Sequence, residues 1–234
     1  MRKELLILSG KGGTGKSTVS VNLALRLCNE GHRVGLLDCD LTTPNIPKML
    51  GMGKVKLIAD QVIDPVVIND NLKVMSVGFD ASDNQGILWD GSRIRAIVGE
   101  LINGVGWGEL DYLIVDMPPG SSDDLIEAIQ DLPNSYAIIV MIPSVTAQMD
   151  ASKLIKVLKL KDIPILGVIE NMSKLFGDGL GEELANEYEI PFLGKLEFHP
   201  EVPKEMARGN NILGEFDDFE IVMTKLTWGL NVCH

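Results

Sequence analysis

Apolar positions along the chain fall into short continuous runs that alternate with amphipathic stretches. Leu5–Leu8 is unbroken and of strand length, the pattern of a strand covered on both faces. Val19–Glu30 spaces its apolar residues at helical intervals and is closed by Gly31, a helix stop signal. Strands are predicted again at Arg33–Leu37, Leu72–Val77, Tyr112–Val115, Ala137–Ile142, Ile165–Ile169 and Phe192–Leu196. Helices are predicted at Ser92–Leu101, Ser121–Ile129, Ala147–Leu160, Gly181–Glu187 and Phe219–Leu230, with Ser121 or Ser122 as an N-cap. This alternation predicts an α/β fold with a mainly parallel sheet wrapped by helices on both faces. With no internal repeat and no low-complexity linker, residues 1–234 are expected to form a single domain. Residues 41–70 are the least regular, because Pro44, Pro47 and Pro65 should break any helix. In such sheets ligands collect at the C-terminal strand ends, and this segment is expected over that mouth.

The link between the first strand and the first helix carries the chemistry. It reads Gly10-Lys11-Gly12-Gly13-Thr14-Gly15-Lys16-Ser17-Thr18. Gly10, Gly15, Lys16 and Ser17 meet the phosphate-loop spacing in its required context of strand, turn and helix. Glycines let successive backbone N–H groups wrap an anion, and the helix dipole points its positive end at the same place. Lys16 is expected at the β- and γ-phosphates, Ser17 on Mg²⁺ and Thr18 at the α-phosphate. Gly12, Gly13, Thr14 and Gly15 complete the cradle.

Acids stand at two other strand ends. Leu36-Leu37-Asp38-Cys39-Asp40 closes the second strand and Ile114-Val115-Asp116 a later one. Either acid alone is as readily a cap or a turn residue. Converging on Ser17 at one sheet edge, Asp38 and Asp116 would make a hard-oxygen Mg²⁺ site. After Asp116, Pro119-Gly120 enforces a turn, and the Gly120 N–H is a candidate donor to a γ-phosphate.

Composition narrows the partners. The net charge is −12 and the pI near 4.7, which argues against a non-specific grip on nucleic acid or an acidic membrane. No apolar run reaches membrane-spanning length, and residues 1–9 leave no room for a leader before the loop, so the cytosol is the expected location. Cys28, Cys39 and Cys233 show no close pairing; Cys28 and Cys39 read as buried thiols, and Cys233-His234 as a frayed tail.

The loop Lys11-Gly12-Gly13-Thr14-Gly15-Lys16-Ser17-Thr18 resembles the deviant Walker A loop of the MinD/ParA/Mrp ATPases. The likeness widens to the Mrp/ApbC branch through Gly31–Asp40, Pro44–Gly51, Leu88-Trp89, Trp107–Tyr112, Asp116–Gly120 and Gly167–Ser173. It spans roughly residues 4–210 and implies a P-loop NTPase sheet, ATP and Mg²⁺ as ligands, and ATP hydrolysis to ADP and phosphate by a homodimer. It further implies Lys11 as a lysine that crosses to the partner's phosphates, Lys16 as the main phosphate lysine and Asp40 as the acid that positions the attacking water. Ser17, Asp38 and Asp116 become the Mg²⁺ supports, and Asn171 becomes the adenine contact. Without the resemblance Asn171 reads as a turn residue after a strand. His199-Pro200 is a further candidate for the base pocket.

Relatives in this branch carry or help assemble iron–sulfur clusters, with a Cys-x-x-Cys pair shortly after the Asn-Met-Ser segment. Here residues 171–181 contain no cysteine, so this chain alone is not expected to hold a cluster. The leading expectation is an Mrp-like ATP switch whose client protein is unidentified. A MinD/ParA-like positioning ATPase is the alternative, yet the last helix carries Phe219, Val222, Met223 and Leu226 on one face with Lys225 as its only base, which reads as core packing rather than a membrane anchor. Lys11 and the lack of an obvious lid argue against a small-molecule kinase, and Asp40 and Asp116 weigh against a non-enzymatic nucleotide-binding scaffold.

Overall fold

The structure, a computed structural model, describes residues 2–40, 44–52, 64–77, 101–120 and 134–232, with positions 98, 99, 126, 129 and 132. Its strands are β1 (Lys3–Leu8), β2 (Val34–Asp38), β3 (Val66–Asn69), β4 (Leu72–Ser76), β5 (Tyr112–Asp116), β6 (Ser135–Met141), β7 (Ile165–Ser173) and β8 (Phe192–Glu197). They form one eight-stranded sheet in the order β3-β4-β2-β5-β1-β6-β7-β8. Every pairing is parallel except β3 with β4. The central strand β1 has Leu5–Leu8 fully buried, as a strand covered on both faces demands.

The helices are α1 (Lys16–Asn29), α2 (Ile46–Met49), α3 (Val145–Leu160), α4 (Leu180–Glu187), α5 (Glu201–Met206) and α6 (Asp217–Val232). Helix α1 starts at Gly15 in the left-handed region and buries Val19, Leu23, Ala24 and Leu27. Its first turn contains no acid, which leaves its positive end for an external anion. Ser144 caps α3, its Oγ accepting from the Ala147 N–H at 3.3 Å. Helix α6 buries Phe219, Val222, Met223 and Leu226 and packs on β8 and β7. The apolar stripe seen in the sequence is therefore core surface.

Three expectations need correcting. Pro47 does not exclude a helix: it sits in the first turn of α2, where the N–H it lacks has no intrahelical partner anyway. Val66–Asn69, inside the segment expected to be irregular, forms a hairpin edge strand with β4. Strand β7 continues past Ile169 to Ser173, so Asn171 lies within a strand. The β7–β8 register slips between Asn171 and Ser173, and Met172 takes φ 57°; bulges of this kind re-aim side chains beside functional sites.

Positions 98, 99, 101, 126 and 129 are helical where helices were predicted, and residues 102–104 are helical beyond the predicted end at Leu101. The remaining positions of those two predicted helices, and Leu88-Trp89, lie outside the described residues. Among the described residues no helix is long and apolar enough to cross a membrane.

Candidate functional site

The phosphate loop runs from the end of β1 into α1 at the sheet's C-terminal edge. Two close approaches fix its path. A Cβ on Gly10 would lie 2.5 Å from the Asp150 carbonyl carbon in α3. Gly15 combines φ 81° with a neighbour, the Asn171 side-chain amide, that would collide with any Cβ. Around the loop lies a cleft of about 290 Å³ lined by Ser9, Gly12–Thr18, Asp40, Asn45, Met49 and Pro119. The structure thus brings together the cradle residues Gly12, Gly13, Thr14, Gly15, Lys16, Ser17 and Thr18 with Asp40.

Beside that cleft stand Asp38 and Asp116, paired in register on β2 and β5. Both are fully buried. Asp116 accepts from Lys16 Nζ at 2.7 Å, Ser17 Oγ at 2.6 Å and Ser20 Oγ at 3.0 Å. Asp38 accepts from the Asp40 N–H at 3.1 Å, the Ile46 N–H at 3.3 Å and Ser76 Oγ at 3.0 Å. Burial, and then the charge of Asp116, push the Asp38 carboxyl up to about 7. A cation placed between these acids would relieve that cost. Ser17, Asp116 and Asp38 are all hard oxygen donors, so the set fits Mg²⁺. The Thr14 hydroxyl is buried in the loop without a hydrogen-bond partner among the described residues, as expected of a cradle shaped for a polar ligand.

Lys11 stands apart from this cluster. Its Nζ lies 3.1 Å from Thr146 Oγ1 and 3.5 Å from Ser144 Oγ at the start of α3. Asn171 reaches the loop from the other side, donating Nδ2 to the Thr14 carbonyl at 2.8 Å. It also lines a second recess of about 80 Å³ with Thr18, Met172, Phe198, His199 and Leu213. His199 stacks on Phe216 with ring centroids 3.7 Å apart. The recess joins the phosphate loop through Thr18, which borders both spaces.

One expected donor is otherwise engaged: the Gly120 N–H bonds the Ser9 carbonyl at 2.9 Å. Pro119 borders the cleft in its place. Sequence reasoning missed Ser20 and Ser76, which hold the two acids. The signal for Ser20 was its place one helical turn after Lys16, on the same face; Ser76 gave none, since its role depends on β4 pairing with β2.

No three His, Cys, Asp or Glu side chains converge as a metal site among the described residues. Cys28 and Cys39 are buried free thiols, and burial pushes the Cys39 thiol further from its thiolate form. Cys233 and His234 lie outside the described residues.

The family model described as NUBPL iron-transfer P-loop NTPase matches residues 1–227. The iron-sulfur cluster carrier protein of Methanocaldococcus jannaschii is 41% identical over 84% of this chain and 72% of its own. The human cytosolic Fe-S cluster assembly factor NUBP2 is 36% identical over 92% and 86%. Among solved structures, a nucleotide-binding protein from Archaeoglobus fulgidus in complex with ADP superposes with a TM-score of 0.77 at 32% identity, covering 93% of this chain and 90% of that one. The cell division ATPase MinD of Pyrococcus furiosus shares the fold, with a TM-score of 0.73 at 23% identity over the full length of both chains. A family match over residues 1–227 and identities of this size across most of each chain, on a site built around Lys16, Ser17 and Asp116, show that this chain belongs to the NUBPL iron-transfer P-loop NTPases of the ParA class.

Proposed function

We propose that this chain, a single domain over residues 1–234, is an ATP-hydrolysing switch that closes as a homodimer around ATP and serves iron–sulfur cluster assembly in the cytosol. The observation that carries the reading is the divergence of two lysines on one loop. Lys16 Nζ sits 2.7 Å from Asp116, within its own nucleotide cleft. Lys11 Nζ rests on Thr146, and Lys11 is not among the residues lining that cleft.

In this reading Lys16 exchanges its carboxylate partner for the β- and γ-phosphate oxygens. The Gly12–Gly15 backbone and the start of α1 hold the phosphates in line. Asp40, on the cleft wall, orients the attacking water and draws its proton by hydrogen bonding. Lys11 stabilises charge on the phosphates of the partner subunit, a lysine counterpart of a finger supplied in trans. Ser17, Asp116 and Asp38 would hold Mg²⁺, which when bound neutralises charge on the phosphate oxygens. Asn171 and the recess beside it receive adenine, since a side-chain amide donates and accepts at once.

Support for the biological task comes from relatives named as iron–sulfur carriers and as cytosolic assembly factors. The cluster itself is cargo. With Cys28 and Cys39 buried, we take the client, rather than this chain alone, to supply its ligands. Lys11→Ala tests the switch: nucleotide binding persists and turnover falls by about 10³-fold or more, the scale of a lost finger. Undiminished turnover would remove the trans role. Iron and sulfide analysis of anaerobically purified protein tests the cargo, and a stoichiometric cluster would overturn the reading of the cysteines.

A further inference from the structure

Two short helices end against each other between the phosphate cleft and the recess beside Asn171. Helix α2 closes with the Gly51 N–H on the Lys48 carbonyl at 3.1 Å and the Met52 N–H on the Pro47 carbonyl at 2.8 Å, with Gly51 at φ 64°. Helix α5 closes the same way. The Gly209 N–H bonds the Met206 carbonyl at 3.0 Å, the Asn210 N–H bonds the Glu205 carbonyl at 2.9 Å, and Gly209 has φ 87°. Both are glycine helix stops with two closing bonds. The two stop glycines touch. A Cβ on Gly209 would lie 2.8 Å from Gly51 Cα and 3.0 Å from Gly51 N. A helix stop asks only for the left-handed backbone; this contact adds a second demand, backbone laid against backbone.

Asn211 makes a second bridge. Its Nδ2 donates to the Met49 carbonyl at 3.0 Å, one of the carbonyls that a helix end leaves without an intrahelical partner. Its Oδ1 is buried with no partner among the described residues, a cost accepted to keep the amide's donor on α2. On one side of this joint Val202, Met206 and Leu213 line the recess. On the other, Asn45 and Met49 line the phosphate cleft. The start of α2 is tied to Asp40 through one carboxylate: Asp38 accepts from the Ile46 N–H at 3.3 Å and from the Asp40 N–H at 3.1 Å. Contact thus runs from Met206 through Gly209, Gly51, α2 and Asp38 to Asp40.

We propose that the Gly51–Gly209 contact and Asn211 form a positioning joint through which a base in the recess fixes α2, and Asp40 with it. The cleft wall that carries Asp40 is then set by the base as well as by the phosphates. The inference rests on the assignment of the recess to adenine and adds what that binding does. The build of α2 favours such a role. It is four residues long and buries Ile46 alone, so its own hydrogen bonds cannot hold it in place. Its position depends on Asp38 at one end and on Gly209 and Asn211 at the other. An element so lightly anchored opens locally at small cost. A base packed on Met206 and Leu213 stiffens the end of α5, and the glycine contact passes that stiffness to α2. A ligand without a base, such as inorganic tripolyphosphate, leaves the joint unloaded.

The test is hydrogen exchange over residues 45–52, read by mass spectrometry with adenosine, which carries the base and no phosphate. Saturating adenosine should slow exchange there in the wild type by about fivefold or more, the usual size of coupling between two sites. Gly209→Ala, which pries Gly51 away, should still bind adenosine in calorimetric titration yet gain no protection over residues 45–52. Asn211→Ala keeps both glycines and removes the amide on Met49; it should gain less protection than the wild type. Tripolyphosphate should protect residues 10–18 equally in all three proteins, and its loss in both variants would show general damage and overturn the joint. Adenosine that binds the wild type without protecting residues 45–52 overturns the joint and leaves the adenine assignment standing. So does wild-type protection in either variant. Adenosine that fails to bind the wild type overturns the adenine assignment and the joint with it.

Discussion

Lys11 and Lys16 share one glycine-rich loop, yet their ammonium groups are held on different elements: Lys16 on Asp116 of β5 at 2.7 Å, Lys11 on Thr146 of α3 at 3.1 Å. Lys16 is buried with its partner, while Lys11 lies on a partly open rim. Their different surroundings set different tests for the two residues.

Removing the partner of Lys16 strands a buried cation. Asp116→Ala should lower the unfolding free energy of the nucleotide-free protein by about 3–5 kcal/mol. It should also abolish Mg²⁺-dependent hydrolysis. Urea unfolding followed by circular dichroism reads the first effect; a wild-type midpoint would show that the pair contributes little to the apo fold.

Gly15→Ala places a methyl group against the Asn171 amide at φ 81°. Substitution at such a position is expected to cost more than about 1 kcal/mol. Because the displaced amide is also the group we assign to adenine, ATP binding should fall along with stability. Calorimetric titration with ATP would contradict the account if affinity survived intact.

Asn171→Ala separates base from phosphate. It removes one buried hydrogen bond to the Thr14 carbonyl, worth about 1 kcal/mol. Affinity for ATP should drop by about tenfold, in line with about 1–3 kcal/mol for an amide read against adenine. Inorganic tripolyphosphate should compete for the loop as in the wild type. Equal losses for both ligands would reassign Asn171 to loop support alone.

The raised Asp38 carboxyl predicts a pH dependence for protein freed of metal. Between its ordinary value of 3.8 and about 7, the native state keeps a proton that the unfolded chain releases. Stability should therefore fall as pH rises through that window, by up to about 4 kcal/mol. Asp38→Asn should flatten the slope in unfolding curves recorded in chelator. A wild-type slope in the variant would place the proton elsewhere.

Much of this architecture was legible in the sequence because parallel strands buried on both faces write continuous apolar runs, as at Leu5–Leu8 and Tyr112–Val115. The loop was legible because its glycines and Lys16 obey a fixed spacing. What escaped depends on tertiary context. Val66–Asn69 becomes a strand only by pairing with β4. The role of Ser76 requires β4 beside β2. Asn171 looked like a turn residue because the bulge at Met172 leaves no mark in apolar periodicity. The Gly120 N–H looked available because nothing local shows that the Ser9 carbonyl takes it.

The central claim is that Lys11 acts on the nucleotide of the other subunit, and mixing two inactive variants tests it most directly. In a Lys11→Ala/Asp40→Ala heterodimer, the subunit with intact Asp40 faces the intact Lys11 of its partner. ATP hydrolysis by an equal mixture should recover to about a quarter of the wild-type rate, since half the dimers are mixed and each holds one complete site. A mixture as inactive as either variant alone would contradict the account.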